Sequence, residues 1–187
     1  MMSGWSKDRI CMLVGSLTLV TPFFFPVWVI SLSAPQYTEP VKMFIHPDGF
    51  SGEIQTINIL NHYVGMKDIP EHMTEFVLFP IIIVAMMCLG ILVAWMQKYY
   101  GLWIVLFLLI ACVGVYDFYI WGYDYGHNLD PKAPIKIPGQ AYQPPLIGSK
   151  EILNFKAVSM PTWGSLGVFL SLVLAFWAYH LKRHKNV

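Results

Sequence analysis

The chain has 187 residues and a formal net charge of +1, with 56% hydrophobic and only 12% charged residues. A soluble domain carries about 25% charged residues, so this composition, with a mean hydropathy of +0.54, indicates a membrane protein. The near-neutral charge, with no basic patch outside the C-terminal tail, excludes nucleic acid as an expected partner.

Four apolar segments are each close to the roughly 20 residues that cross a bilayer as a helix. They predict helices at about 10–34, 75–97, 101–121 and 162–181. The first segment is longer than the apolar core of a signal peptide and is predicted to be retained, although small residues at 31–34 leave a cleavage site open. The predicted fold class is an all-α membrane protein, a four-helix transmembrane bundle forming one domain over 1–187.

Basic residues near the helix ends predict the orientation, because cytoplasmic loops are enriched in lysine and arginine. Lys7 and Arg9 lie at the start of the first predicted helix, and Lys98 lies between the second and third. Lys182, Arg183 and Lys185 follow the fourth. Both termini are therefore expected in the cytoplasm. Two extracytoplasmic segments follow, 35–74 and 122–161, and both are expected to be ordered.

The first outer segment contains a pattern typical of a short amphipathic helix over 52–64. Its apolar residues at helical spacing are Ile54, Ile57, Leu60 and Val64. Ser51 is a candidate N-cap and Gly65 a candidate C-terminal stop. We expect this helix to lie at the outer surface against the bundle.

The second outer segment has five prolines, at 131, 134, 138, 144 and 145. Proline is strongly disfavoured inside helices and in central strands, so neither is expected in the proline-rich part of the segment. The segment is nevertheless rich in Ile, Leu, Tyr and Phe, so we expect an ordered, extended cover over the outer helix ends, which suggests a binding surface.

The outer segments are rich in histidine and methionine but contain no cysteine. The residues concerned are Met43, His46, His62, Met66, His72, Met73, His127 and Met160. Imidazole and thioether ligands suit copper, and thioether suits Cu(I) in particular. The alternative is that they are interfacial polar residues and packing methionines. His62 and Met66 are four residues apart, but Gly65 between them can separate the pair or bring it together.

The three cysteines, Cys11, Cys88 and Cys112, fall within predicted helices and are expected to pack as small apolar side chains.

Two acidic residues near the outer end of the third helix form a further candidate group. Asp117 lies in an apolar span, where an ionisable residue is by default a functional hypothesis, although a structural hydrogen bond is equally compatible. Asp124 is three residues before His127 and could orient its ring as a hydrogen-bond partner of a metal ligand.

Two stretches carry a resemblance to a known family: INILNHYVGMK and YDFYIWGYDYGHNLDPKAPIKIPGQAYQPPLIGSKEILNFKAVSMP. They resemble small multi-spanning membrane proteins encoded in the nitrous-oxide-reductase gene clusters of clade II bacteria, which also carry copper-chaperone genes. The resemblance covers about half of the chain. It implies a bacterial inner membrane location, a link to copper and respiration, and His62, Met66, His127 and Met160 as ligand candidates.

The leading hypothesis is a membrane accessory protein, not an enzyme, that binds or relays copper at the periplasmic face for a respiratory cupro-enzyme such as nitrous-oxide reductase. Motifs for nucleotide binding, serine hydrolysis, zinc proteolysis and covalent haem attachment are missing from the sequence. Two alternatives remain open. One is a metal-free structural or docking subunit of a membrane respiratory complex, and the other is a quinol-reacting or oxidase-like enzyme.

Overall fold

The structure is a computed structural model that describes residues 5–135, 139 and 141–185. Its helices are α1 (Lys7–Thr18), α2 (Ile54–Val64), α3 (Glu75–Met96), α4 (Tyr100–His127) and α5 (Trp163–Lys185), with a 3₁₀ turn at Thr21–Phe23. Its strands are β1 (Trp28–Ser33), β2 (Val41–His46), β3 (Gly49–Gly52), β4 (Gly148–Ile152) and β5 (Phe155–Pro161).

The five strands form one antiparallel sheet in the order β3-β2-β1-β5-β4. The central strand β1 pairs with β2, where Ile30 lies opposite Met43, and with β5, where Ile30 lies opposite Ser159. The predicted all-α fold class, a four-helix transmembrane bundle, is therefore wrong. The described chain combines helices with a sheet.

The error lies in the first predicted span, 10–34. Helix α1 already ends at Thr18, and Pro22 opens the 3₁₀ turn. Pro26 then favours extended backbone at the residue before it. Beyond Pro26 the side chains of Trp28, Ile30 and Leu32 contact one apolar core, the period of two that is typical of a strand. A continuous apolar run does not by itself distinguish a helix from a buried strand.

Three helices of the described chain, α3, α4 and α5, are long and apolar enough to cross a membrane. They occupy the second, third and fourth predicted spans, whereas the predicted amphipathic helix is α2. Helix α1 has 12 residues, about 18 Å at 1.5 Å per residue. By itself it is shorter than the hydrocarbon layer of a bilayer, which is about 30 Å thick.

Helix α1 runs antiparallel along α5. At one end Lys185 Nζ lies 2.9 Å from Asp8 Oδ1, and at the other Thr21 Oγ1 donates to the carbonyl of Gly164 at 3.3 Å. Between these points Gly15 lies against α5, where an added Cβ would meet Leu174 Cβ at 3.0 Å. We call the end of the bundle with Asp8 and Lys185 the basic end.

The sheet and α2 lie at the opposite end of the bundle, where β5 ends at Pro161 and α5 begins at Trp163. We call the sheet, α2 and the described connecting residues of 34–74 and 128–162 the cap. Helix α4 has 28 residues, about 42 Å, and is therefore longer than a bilayer core. Its last turns enter the cap, where Phe118 packs edge-on against Trp28 at 5.4 Å between ring centroids.

Candidate functional site

An apolar cavity of about 120 Å³ lies inside the cap. Four parts of the chain enclose it: one face of the sheet, the inner face of α2, the cap end of α4, and the extended segment 142–146. Its principal side chains are Ile30, Leu32, Met43, Ile57, Leu60, Asn61, Val64, Met66, Phe118, Trp121, Tyr125, Tyr142 and Gln143. A concave apolar site of this kind is the default candidate for a ligand site.

The sheet wall of the cavity follows from strand alternation, because successive side chains point to opposite faces. Ile30 and Leu32 of β1 face the cavity, as does Met43 of β2, which lies opposite Ile30. On β5 the buried Ala157 and Ser159 are the partners of Leu32 and Ile30 and share that face.

The α4 wall is a cluster of aromatic rings. Trp121 packs against Tyr125 at 4.5 Å and against Phe50 at 5.8 Å, and Phe118 packs against Trp28. Aromatic pairs at such distances gain about 0.5–1.5 kcal/mol beyond their area burial. This wall is continuous with the long apolar part of α4.

The segment 142–146 forms the cover of the cavity. Tyr142 N donates to the carbonyl of Gly126 at 3.0 Å, and an added Cβ at Gly126 would lie 2.5 Å from Gln143 Cα. Glycine is thus required at 126 for the cover to approach α4 so closely. Further along, Ser159 Oγ donates to the carbonyl of Leu146 at 3.1 Å and accepts from Trp28 Nε1 at 2.7 Å.

Polar atoms at the cavity are mostly paired. Tyr125 Oη donates to the carbonyl of Asp68 at 2.9 Å, and Asn61 Nδ2 donates to the carbonyl of Lys67 at 3.2 Å. The exception is Tyr142, which is 4% exposed and whose buried hydroxyl has no hydrogen-bond partner among the described residues. A donor left unpaired inside a protein is unfavourable.

The predicted ligands His62 and Met66 have different surroundings. Gly65 adopts φ 80° and ends α2, so the chain turns between the two residues. Met66 packs into two apolar clusters and lines the cavity. His62 is exposed on α2, its ring 6.5 Å from that of Tyr63.

His127 is exposed at the last position of α4 and stacks on Tyr123 with 3.9 Å between ring centroids. Its Nδ1 lies 2.9 Å from the carbonyl oxygen of Tyr123, not from Asp124. Asp124 instead pairs with Lys67 at 2.8 Å and accepts a hydrogen bond from Asn128. Asp117 is exposed on α4, two turns before Asp124.

Met160 lies away from the other predicted ligands. It is opposite Val29 in the sheet, and alternation places this pair on the face turned away from the cavity. Met160 is 50% exposed there. The structure therefore does not bring Met160 to Met66, which lines the cavity on the other face.

The helix ends that carry His62 and His127 are nevertheless tied together. Asp130 N donates to the carbonyl of Gly65 at 2.8 Å, and Ile135 N donates to the carbonyl of Tyr63 at 2.9 Å. Within 5–135, 139 and 141–185 no group of three or more His, Cys, Asp or Glu side chains is arranged to hold a metal ion.

Comparison with known proteins gives no identification, since no family model, no curated protein and no solved structure matches the chain. The resemblance to the nitrous-oxide-reductase cluster family therefore stays a prediction.

Apart from Met43 and Met66, the cavity residues are absent from the sequence-based candidates. Tyr142 lies in the segment that the sequence predicts to be an extended cover. The available signal was the unusual density of aromatic residues at 116–125, which continues past the predicted helix end at 121.

Proposed function

We propose that the chain is a membrane-anchored binding protein whose cap takes up an apolar molecule from the adjacent bilayer leaflet. The observation that carries this proposal is the apolar cavity, whose aromatic wall at Phe118 and Trp121 is a direct continuation of a membrane-spanning helix. Burying apolar surface is favourable by about 25 cal/mol per Å². An open apolar cavity beside a bilayer is therefore suited to a molecule dissolved in the lipid.

We also propose that the cap is extracytoplasmic and that both termini are cytoplasmic. Lys7 and Arg9 begin α1, Lys98 lies in the α3–α4 turn, and Lys182 and Arg183 end α5, all at the basic end. The positive-inside rule supports placing this end in the cytoplasm of a bacterial inner membrane. Helix α1, with the turn that follows it, is then a short fourth crossing alongside α5.

The test is photolabelling of the full chain in lipid nanodiscs with a long-chain alkyl diazirine, followed by mass-spectrometric mapping. We expect label on Met43 and Gln143, which face the cavity, in addition to label on the lipid-facing side of α3, for which Ile81 is an internal control. Label on Ile81 without label on Met43 or Gln143 would reject uptake into the cavity.

As a second candidate function we propose the copper relay that the sequence suggests, with its site on the surface of the cap. It is favoured by the linked helix ends, which hold the exposed His62 and His127 in neighbouring terminal turns. A helix C-terminus also favours a cation. In this proposal Cu(I) is cargo, passed on to a periplasmic cupro-enzyme or membrane respiratory complex.

A competitive Cu(I) titration distinguishes this candidate from a metal-free docking role. The double variant His62→Ala plus His127→Ala is expected to lose the tightly bound copper. The variant His46→Ala, whose ring lies 3.0 Å from Ser51 Oγ in the β2–β3 hairpin, serves as the matched control. Equal copper stoichiometry in the wild type and the double variant would reject the relay.

A further inference from the structure

Two histidines lie side by side at the basic end, in the last turns of α5. His180 and His184 are four residues apart, which places them on one face of the helix. Both are exposed, and their ring centroids are 4.4 Å apart with the ring planes at 72°. The pair is at the opposite end of the bundle from the cavity and from His62 and His127, so it belongs to neither site described above.

The separation of the two rings suits a shared metal ion. An ion bound to one nitrogen of each ring at about 2.0–2.1 Å in tetrahedral geometry holds the two ring centres about 5 Å apart. The observed 4.4 Å is close to this value. The same spacing carries the two zinc ligands of helical H-E-x-x-H sites. Leu181 stands where that motif has glutamate, so the pair offers metal ligands without the general base of a hydrolytic site.

The ring nitrogens of the pair are available for coordination. In the part of the chain that the structure describes, the histidine rings with hydrogen-bond partners are those of His46 and His127. His180 has the ring of Trp177 as a neighbour, with 6.4 Å between ring centroids. Within the described residues, a metal ion can therefore bind His180 and His184 without breaking a hydrogen bond of either ring.

The surrounding charges permit a cation despite the basic character of this end. Lys185 Nζ pairs with Asp8 Oδ1 at 2.9 Å, and Lys182 Nζ lies over the Tyr100 ring at 5.7 Å from its centroid. Both ammonium groups are thus engaged with neighbouring helices, whereas Arg183 is exposed and opposes a bound cation. The carbonyl groups in the last turn of a helix carry partial negative charge, which favours one.

We infer that His180 and His184 form an exchangeable binding site for a divalent transition-metal cation of the Zn²⁺ and Cu²⁺ class. Imidazole suits both ions, and Cu²⁺ binds such ligands more tightly than Zn²⁺. Two protein ligands leave the other two tetrahedral positions to water, so the ion stays accessible to a further ligand. This site does not depend on the proposed function, because it shares no residue with the cavity.

The test is protection of histidines from diethyl pyrocarbonate by Zn²⁺ in the full chain in detergent, mapped by mass spectrometry. We expect His180 and His184 to become protected together, with the same midpoint in Zn²⁺ concentration. The exposed His72 is the internal control. Its midpoint should be roughly 100-fold higher, since joining two binding groups raises the overall affinity by about that factor. Different midpoints for His180 and His184, or a common midpoint equal to that of His72, would overturn the inference.

Two variants separate shared coordination from binding by independent rings. In His180→Ala the midpoint for His184 should rise roughly 100-fold. Lys182→His combined with His184→Ala keeps two histidines on α5 but places them two residues apart, where helical side chains do not face each other. The midpoint for His180 should rise by a similar factor, although one nearby positive charge is removed. An unchanged midpoint in either variant would contradict a shared metal ion.

Discussion

The bundle and the cap both contain glycines at close contacts, but the cap also contains a glycine that borders a cavity. In the bundle, Gly15, Gly90 and Gly167 are sites of close helix contact, and an added Cβ would collide with Ser16 at Gly90 and with Thr21 at Gly167. At the cap end of α4, an added Cβ at Gly126 would collide with Gln143, whereas at Gly122 it would meet Gln143 Nε2 at 4.0 Å, at the edge of ordinary contact.

The difference indicates a division of roles. Small residues at helix interfaces in membranes let backbones approach and stabilise the association by packing. The same residue type on α4 borders a cavity that other side chains leave open. We interpret α1, α3 and α5 as the fixed anchor, and the cap with the end of α4 as the part that binds.

The largest effect is expected from overpacking the anchor. Gly167→Val should lower the free energy of unfolding by about 3 kcal/mol, because the Thr21 side chain already occupies the space that a branched residue needs. Thermal unfolding in detergent measures it. Gly114→Val on α4 is the control, since an added Cβ there has no heavy atom within 4 Å among the described residues. Equal losses in both variants would contradict the close packing.

An intermediate effect is expected from pushing the cover away from α4. Gly126→Ala should cost roughly 2 kcal/mol, because its Cβ would lie within 2.6 Å of Gln143 Cβ. Hydrogen exchange of the Tyr142 amide, which donates to the carbonyl of Gly126, should accelerate. Gly122→Ala, one turn earlier, should instead stabilise α4 by up to about 1 kcal/mol through helix propensity. Unchanged exchange in Gly126→Ala would show that the cover does not depend on this contact.

The smallest effect is expected at the unpaired hydroxyl. In lipid-stripped protein, Tyr142→Phe should raise the free energy of unfolding by about 1 kcal/mol, because a buried donor without a partner is removed. Thermal unfolding in detergent measures the change. A destabilised variant would indicate that the hydroxyl is paired within the protein.

The sequence predicts the helical elements better than the sheet, for a physical reason. Hydropathy over about 20 residues identifies α3, α4 and α5, and the period of apolar residues identifies α2. The sheet depends on pairing of β1 with β5, which places Ile30 opposite Ser159 from the far end of the chain. The alternation after Pro26 is a strand signal, but it is concealed in an apolar run.

The candidate site is predicted less well than the fold because it is built from four separate segments. Sequence spacing brings His62 close to Met66, but the left-handed turn at Gly65 sends one to the surface and the other to the cavity. Strand alternation, which needs the register, decides the face of Met160. The close approach of Gln143 to Gly126 joins residues whose contact no local pattern indicates.

The most direct test of the binding role is photolabelling of two matched leucine variants on α4. Gly122→Leu places a side chain in the cavity, whereas Gly114→Leu makes the same substitution on the spanning part of the helix, where an added Cβ has open space. We predict that label on Gln143 falls to background in Gly122→Leu and stays at the wild-type level in Gly114→Leu, with Ile81 labelled equally in both. Wild-type labelling of Gln143 in Gly122→Leu would contradict the assignment of the cavity as the binding site.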